Sequence, residues 1–462
     1  MATTQNVAGN APSLTILDPA VIRPVQYDND ELPRPTETEI GLNTFADKPA
    51  EPEVAAETIE KVPSICDPMN KTRLFAVCLA SLANGFNDAG AGAVIPYVET
   101  HYGIGYAIVS LIFVGQALGF IFAAIFLDDL RAILGRAKVF GLANIVLVCG
   151  YIPIVTTAPF PLIPVAFCLV GFGAAINIAL GNLFCGGLQN GTIILGLLHG
   201  CYGFGGTISP LIATAIVSTE GTLWSRFYFI NLCFAVLVFS LTVWSFWGYE
   251  KELSAATKES EKPKEQSTLH AVLLTLRMRI VLLGAIFIFA YQGAEVSISG
   301  WVISFLIDAR GGSPKSIGYV TAGFWGGITI GRFALSGLGQ RWGEKRFVYG
   351  FTVIAFVFQL LIWLVPNIIG SSIATAIVGL VLGPIYPYGV AVFMRNMTKR
   401  ESLQGMVTIT AFGSLGGAVA PFVTGLLAQT IGTFVLHPIC IFLYAIMLAC
   451  WYSIPSGSKR QE

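Results

Sequence analysis

Twelve apolar stretches divide the chain after its first 70 residues. A helix needs about 20 mostly apolar residues to cross the hydrocarbon core of a bilayer. The twelve predicted spans, numbered in chain order, cover residues 74–97, 107–127, 138–158, 162–184, 192–217, 225–247, 280–306, 317–338, 347–366, 370–394, 403–429 and 433–452. Because their number is even, we expect both ends of the chain on one side of the membrane.

The longest polar break among the spans runs from Glu250 to His270, within a connection of residues 250–276, and separates six spans from six. We therefore expect an all-α membrane protein with an N-terminal six-helix bundle over 71–249 and a C-terminal one over 277–453. The break would be a cytosolic linker, and residues 454–462 a short cytosolic tail.

The two halves share weak internal similarity, which is typical of transporters built from repeats. Gly135-Arg136-Ala137-Lys138 after span two matches Gly343-Glu344-Lys345-Arg346 after span eight, at an offset of 208 residues. Gly205-Gly206-x-x-x-Pro210 in span five matches Gly416-Gly417-x-x-x-Pro421 in span eleven, at an offset of 211. Two matches in the same order favour a parallel repeat of six spans.

Composition and charge agree with this division. The 462 residues are 54% hydrophobic and 12% charged, whereas soluble domains carry roughly 25% charged residues. Residues 1–70 hold twelve acids against four bases, so we expect an acidic, disordered cytosolic tail. Nineteen lysines and arginines flank the spans on the side of the termini, against Arg226, Arg310 and Lys315 on the other. This bias predicts cytosolic termini.

Two acids lie near the middle of spans, where a charge is costly and therefore points to function. Asp88 lies in span one and Glu295 in span seven, 207 residues apart. At matching points of the repeat, both would face a central cavity and could bind a solute or exchange a proton. The alternative is structural, namely capping a broken helix or pairing with a buried base.

Other polar and aromatic residues in the spans are candidates for the same cavity. Asn84, Asn87, Gln292 and Asn177 could hydrogen-bond a solute, although such residues also hold membrane helices together. Arg332 could pair with an acid or snorkel to an interface. His199 could titrate or serve as a neutral packing residue. Trp301, Trp325 and Tyr386 could stack on a ring-shaped solute, or only pack.

Motifs of soluble chemistry are absent from the sequence: it has no phosphate-binding loop of the Walker type and no metal-ligand spacing. We therefore expect no enzyme activity, no cofactor, no bound metal and no nucleic-acid partner. The expected partners are a small-molecule substrate, protons and the lipid bilayer, and we expect a monomer.

Four motifs resemble the major facilitator superfamily, and most of all its fucose, galactose and glucose proton symporter branch with its fungal relatives. They are Asn87-Asp88 with Ile95-Pro96, Tyr291-x-Gly293-x-Glu295-x-x-Ile298-x-Gly300-Trp301, Gly323-Phe324-Trp325-x-Gly327-x-x-x-Gly331-Arg332 and Gly383-Pro384-Ile385-Tyr386-Pro387. The resemblance implies the twelve-helix, two-bundle fold and carries the span-one acid of the symporter branch over to Asp88.

The chain also departs from the family pattern. The loop after span two is longer than usual, so its gating role carries over loosely to Asp129 and Arg136, with Arg341 and Arg346 in the matching loop after span eight. In the symporter branch span four also supplies an acid, near the position of Ile176 and Asn177 in this chain. That span-four proton site does not carry over to this sequence, which leaves Glu295 as the substitute candidate.

Three functions stay open at this point. The first is a proton-coupled carrier of a small organic solute, sugar-like by resemblance, that works by alternating access. The second is a metabolite exporter of the same fold, and the third is a membrane sensor or receptor that does not transport. We expect the plasma membrane as its location, with the vacuolar membrane as the alternative.

Overall fold

A computed structural model describes residues 63–219, 221–249, 275–335 and 342–454, without the side chains of 192 and 399–404. Several predicted features lie almost wholly outside these residues, namely the acidic tail, the linker, the C-terminal tail and Arg341.

Each predicted span corresponds to a helix or to consecutive helices. Nine are single helices: Asn70–Tyr102 (span one), Arg136–Val155 (three), Leu162–Gly186 (four), Gly191–Val217 (five), Arg226–Phe246 (six), Arg279–Asp308 (seven), Glu344–Leu364 (nine), Lys399–Ile431 (eleven) and Leu436–Ser453 (twelve). Span two joins Tyr106–Val109 to Leu111–Leu134, and span ten joins Ile368–Leu382 to Ile385–Arg395. Span eight runs through Pro314–Ile317 and Val320–Ile330 into a π-helical turn, Gly331–Leu335.

Ten helical segments within the described residues are long and apolar enough to cross a membrane. The exceptions are spans one and eight. Span one has the length, at 33 residues, but Asn84, Asn87, Asp88 and several glycines lower its hydropathy. The predicted span eight extends to residue 338, and residues 336–341 are not described. The prediction of an all-α, multi-pass membrane protein is confirmed.

The internal repeat reappears in the way the helices pack. A Cβ atom on Gly119 in span two would lie 2.1 Å from the carbonyl oxygen of Cys168 in span four. Likewise, a Cβ atom on Gly327 in span eight would lie 2.3 Å from that of Ala376 in span ten. Both members of the second pair lie 208 residues after those of the first, which is the offset seen in the sequence. Glycine permits this close backbone approach in both halves.

Spans five and eleven repeat a second close approach. A Cβ atom on Gly205 would lie 2.1 Å from the carbonyl oxygen of Leu82 in span one, and one on Gly416 would lie 2.1 Å from that of Phe289 in span seven. The same glycine therefore holds the first helix of each half against its fifth helix. This is the packing expected for two six-helix bundles.

The halves also meet on the side opposite the termini. The Tyr106 hydroxyl at the start of span two donates a hydrogen bond to the Asp308 carboxylate at the end of span seven. Close by, the Gln429 amide of span eleven lies against Gly105, where a Cβ atom would be 1.9 Å from the amide oxygen. These contacts join the two halves on the side opposite the termini.

Candidate functional site

A cavity of about 120 Å³ lies between the halves, near the middle of the spans. Spans one, two and five line it from one side, and spans seven, eight and eleven from the other. Its polar lining consists of Asp88, Gln116 and Tyr202 in the first half and Gln292, Glu295, Ser299, Trp325 and Ser414 in the second. The two acids found in the sequence therefore lie in one cavity.

Neutral groups hold the Asp88 carboxylate. The Tyr202 hydroxyl donates to Oδ2 at 2.7 Å, and the Gln116 amide donates to Oδ1 at 2.7 Å. The side chain of Asn87 donates to the same Oδ1 at 3.1 Å. Within the described residues Asp88 has no ion pair. Hydrogen bonds to a carboxylate are stronger than bonds between neutral groups, so this arrangement can fix the side chain without neutralising its charge.

Glu295 has a different environment, because a base faces it. Its Oε1 lies 3.5 Å from Nη2 of Arg332 and 3.4 Å from the Tyr291 hydroxyl, which donates to it. Arg332 lies in the π-helical turn of span eight, and such turns are rare and often occur at functional sites. Of the two interpretations of Arg332, the structure records pairing with an acid. The acid on the second side of the cavity is thus paired with a base, Arg332, which does not itself line the cavity.

A close helix contact places Tyr202 beside Asp88. A Cβ atom on Gly85 in span one would lie 2.0 Å from the backbone oxygen of Tyr202 in span five. On its other side, the Tyr202 ring meets Trp325 of span eight edge-on, with the ring centroids 6.1 Å apart. Trp325 in turn donates from Nε1 to the Ser299 hydroxyl at 2.8 Å. Tyr202 therefore contacts both the acid of the first half and the wall of the second.

The predicted asparagines divide between two places. Asn87 lies next to Asp88, and its Oδ1 accepts a hydrogen bond from Tyr151 at 3.1 Å. Asn84 and Asn177 instead line a smaller cavity inside the first half. There, Asn177 exchanges amide hydrogen bonds of 3.1 and 3.3 Å with Asn144.

The remaining predicted side chains differ in how close they come to the cavity. Gln292 lines it, and its Oε1 is buried without a hydrogen-bond partner in the described part of the chain. Tyr386 is half-buried with its ring centroid 5.7 Å from that of Tyr291. Trp301 is buried away from the cavity, where its Nε1 donates to the Pro421 carbonyl at 2.9 Å. His199 is exposed and does not line the cavity.

The gating candidates that the structure describes, Asp129, Arg136 and Arg346, lie toward the side of the termini. Asp129 and Arg346 are exposed. The guanidinium of Arg136 lies 5.2 Å from the ring centroid of Tyr249, which also faces Arg73 at 4.7 Å. These contacts are confined to the first half. Gating by Asp129, Arg136, Arg341 and Arg346 stays a prediction.

Gln116 and Tyr202 were not predicted from the sequence as site residues, although both hydrogen-bond Asp88. A signal existed for Gln116, because it is the one amide side chain in the otherwise apolar span two. Tyr202 directly precedes the glycine-rich stretch Gly203-x-Gly205-Gly206. That stretch marks a close helix contact, but not which helix lies across it.

Comparison with known proteins adds evidence of ancestry. The model of the Major Facilitator Superfamily matches residues 77–308 and 292–462. The chain is 26% identical over 427 residues to bypass of stop codon protein 6 of Saccharomyces cerevisiae, covering 86% of this chain and 84% of that protein. It is 30% identical over 171 residues to a glucose/galactose transporter of Brucella abortus, covering 36% and 40% of the two chains.

A solved structure shares the fold. The E. coli fucose:proton symporter superposes with a TM-score of 0.58 at 16% identity, over 85% of this chain and all of that one. At this identity the likeness concerns the fold alone.

Proposed function

The chain belongs to the Major Facilitator Superfamily, and from that premise we propose that it is a proton-coupled transporter of a small, hydroxyl-rich, sugar-like solute. The solute would bind in the cavity between the halves, and the bundles 71–249 and 277–453 would rock about it in alternating access. The proposal keeps the termini and the linker 250–276 in the cytosol and places a monomer in the plasma membrane.

The lining of the cavity supports the solute class. Gln116, Gln292 and Ser414 offer donors and acceptors from both halves, and the Trp325 indole provides an apolar face. A hydroxyl-rich ring needs both kinds of contact, since each hydroxyl donates and accepts while the ring carbons pack on an aromatic surface. A relative whose name mentions glucose and galactose points the same way.

The environment of Asp88 is the observation that supports the proposal of proton coupling. Its carboxylate is held by Tyr202, Gln116 and Asn87, all of which are neutral, so binding a proton is the direct way to neutralise it inside the membrane. Glu295 already has a counter-charge in Arg332. We therefore assign the proton to Asp88 and a fixed charge pair to Glu295. Intramembrane acids commonly act in proton relays.

The test is Asp88→Asn in proteoliposomes, with glucose, galactose and fucose as first substrates. With one proton per solute, an imposed gradient of one pH unit should concentrate solute about tenfold in the parent, because a tenfold ratio corresponds to about 1.4 kcal/mol. Asn keeps the shape and can hydrogen-bond but cannot titrate. The variant should exchange solute across the membrane and accumulate none.

A matched control is Asp128→Asn, since Asp128 is an exposed acid at the end of span two. This variant should accumulate solute like the parent. Accumulation by Asp88→Asn at the parent level would contradict the assignment of the proton to Asp88. If Asp88→Asn fails to insert, the carboxylate has a structural role instead.

A further inference from the structure

A second, smaller cavity is lined by residues of the first six spans and does not include Asp88. Its volume is about 10 Å³, and its polar lining comes from Asn84 in span one, Asn144 and Tyr151 in span three, Asn177 in span four and Asn231 in span six. The rest of its wall is apolar. Four asparagines around so small a space inside a helix bundle call for a physical reason.

Asn231 is the member whose hydrogen bonding is incomplete. Its side chain is 2% exposed, and neither Oδ1 nor Nδ2 has a hydrogen-bond partner within the described residues. Asn144 and Asn177 satisfy each other through two amide hydrogen bonds. Buried amides are almost always paired with protein or water, because leaving one unpaired is costly. The Asn231 amide therefore needs a ligand that the surrounding helices do not supply.

We propose that this cavity binds one ordered water molecule, held by the Asn231 amide. The missing partners are an acceptor for Nδ2 and a donor for Oδ1, and water is both at once. A cation could satisfy Oδ1 but would be repelled by the Nδ2 group. The volume also fits, because a cavity of roughly 10–15 Å³ accommodates one water, provided that polar partners are present.

The same cavity connects to Asp88 through hydrogen bonds. Tyr151 lines it and donates from its hydroxyl to Oδ1 of Asn87, whose Nδ2 donates to the Asp88 carboxylate. The Tyr151 oxygen can accept a hydrogen bond from the water, because a phenol both donates and accepts. The water thus anchors a chain from Asn231 to Asp88 and makes Asn231 a positioning residue. This functional part rests on the proton role proposed for Asp88.

A direct test is a density map of the parent and of Asn231→Leu at a resolution that resolves waters. The parent should show a peak within hydrogen-bonding distance of both Asn231 amide atoms, and the variant should show none. A parent map without that peak overturns the inference. This result does not depend on transport, so it can fail while the proton role of Asp88 stands.

The positioning role is tested by the pH dependence of solute accumulation. The titratable groups around Asp88 are Tyr151, Tyr202 and Tyr228, with Glu295 and Arg332 across the cavity, and none is changed in Asn231→Leu. We expect this variant to exchange solute but to reach half-maximal accumulation at a different pH from the parent. Asn231→Ser should reach half-maximal accumulation at the same pH as the parent, since the serine hydroxyl can both donate and accept a hydrogen bond.

The matched control is Thr321→Val, which removes a different buried polar group, the Thr321 hydroxyl in span eight. This hydroxyl has no hydrogen-bond partner within the described residues and lies outside the cavity. It should leave the pH dependence unchanged. Should Asn231→Leu fold and keep the parent pH dependence, the positioning role is wrong. If Asn231→Leu does not fold, the test depends on Asn231→Ser. A pH dependence of accumulation equal to that of the parent, together with the water peak, would support the inference. A changed pH dependence would contradict it.

Discussion

The pair of Glu295 and Arg332 makes a quantitative prediction about stability. In Arg332→Gln the acid loses its counter-charge while it stays buried, with 5% of its surface exposed. In the double variant Glu295→Gln, Arg332→Gln, neither residue is charged. If the pair exists to balance the charge of Glu295, the single variant should be less stable than the double variant.

The magnitude follows from the geometry. Two opposite unit charges 3.5 Å apart attract by about 5 kcal/mol at an effective dielectric constant of about 20. Removing one partner of a buried pair typically costs about 3–5 kcal/mol. The Arg332 side chain is 23% exposed, so water offsets part of the attraction, and we expect about 3 kcal/mol for Arg332→Gln. The double variant should lie within about 1 kcal/mol of the parent, because it leaves no buried charge unpaired.

The assay is thermal unfolding of the parent, the two single variants and the double variant in one lipid environment. Together they form a double-mutant cycle, which isolates the coupling between the two side chains. We expect the melting temperature to fall clearly in Arg332→Gln and to recover in the double variant. A double variant that loses as much stability as the two single variants combined would show that the charges do not interact, and would refute the reasoning.

Two further predictions concern packing and topology. Gly416→Ala places a Cβ atom 2.1 Å from the Phe289 carbonyl oxygen and should lower the yield of folded protein, whereas Gly196→Ala, with no atom within 4 Å of its Cβ, should not. Equal yields by size-exclusion chromatography would contradict the close approach. Epitope tags in the linker 250–276 should be inaccessible from outside intact cells, as the charge bias predicts. Labelling of the linker without permeabilisation would show that the predicted topology is wrong.

The helices were largely predictable, because hydropathy depends on local composition and on the thickness of a bilayer. The interruptions in spans two, eight and ten were not predicted, although the one in span ten has a local signal. Span ten breaks at Gly383-Pro384, where proline lacks the backbone donor that would continue the helix. The π-helical turn Gly331–Leu335 has no such local signal. It depends on packing against span ten, where a Cβ atom on Gly331 would lie 2.1 Å from the Leu380 carbonyl oxygen.

The charged residues of the candidate site were predictable from the sequence. Asp88 and Glu295 stand out because acids are rare and costly in apolar segments. Their partners Gln116 and Tyr202 come from other spans, and only the rotation of each helix decides which side chains meet. Trp301 illustrates the same limit, since it belongs to a family motif near the cavity and yet is buried against the Pro421 carbonyl.

The internal repeat explains both the likeness and the difference of the two acids. Asp88 and Glu295 lie 207 residues apart on helices packed in the same way, so the fold gives them matching places. The position 208 residues before Arg332 is Ala124, so span two contributes no base where span eight contributes one. Within the described residues, the acid on one side of the cavity is therefore paired with a base, whereas the acid on the other side is hydrogen-bonded by neutral groups. Under the function proposed above, this asymmetry favours a single protonation per cycle, at Asp88, over two equivalent sites.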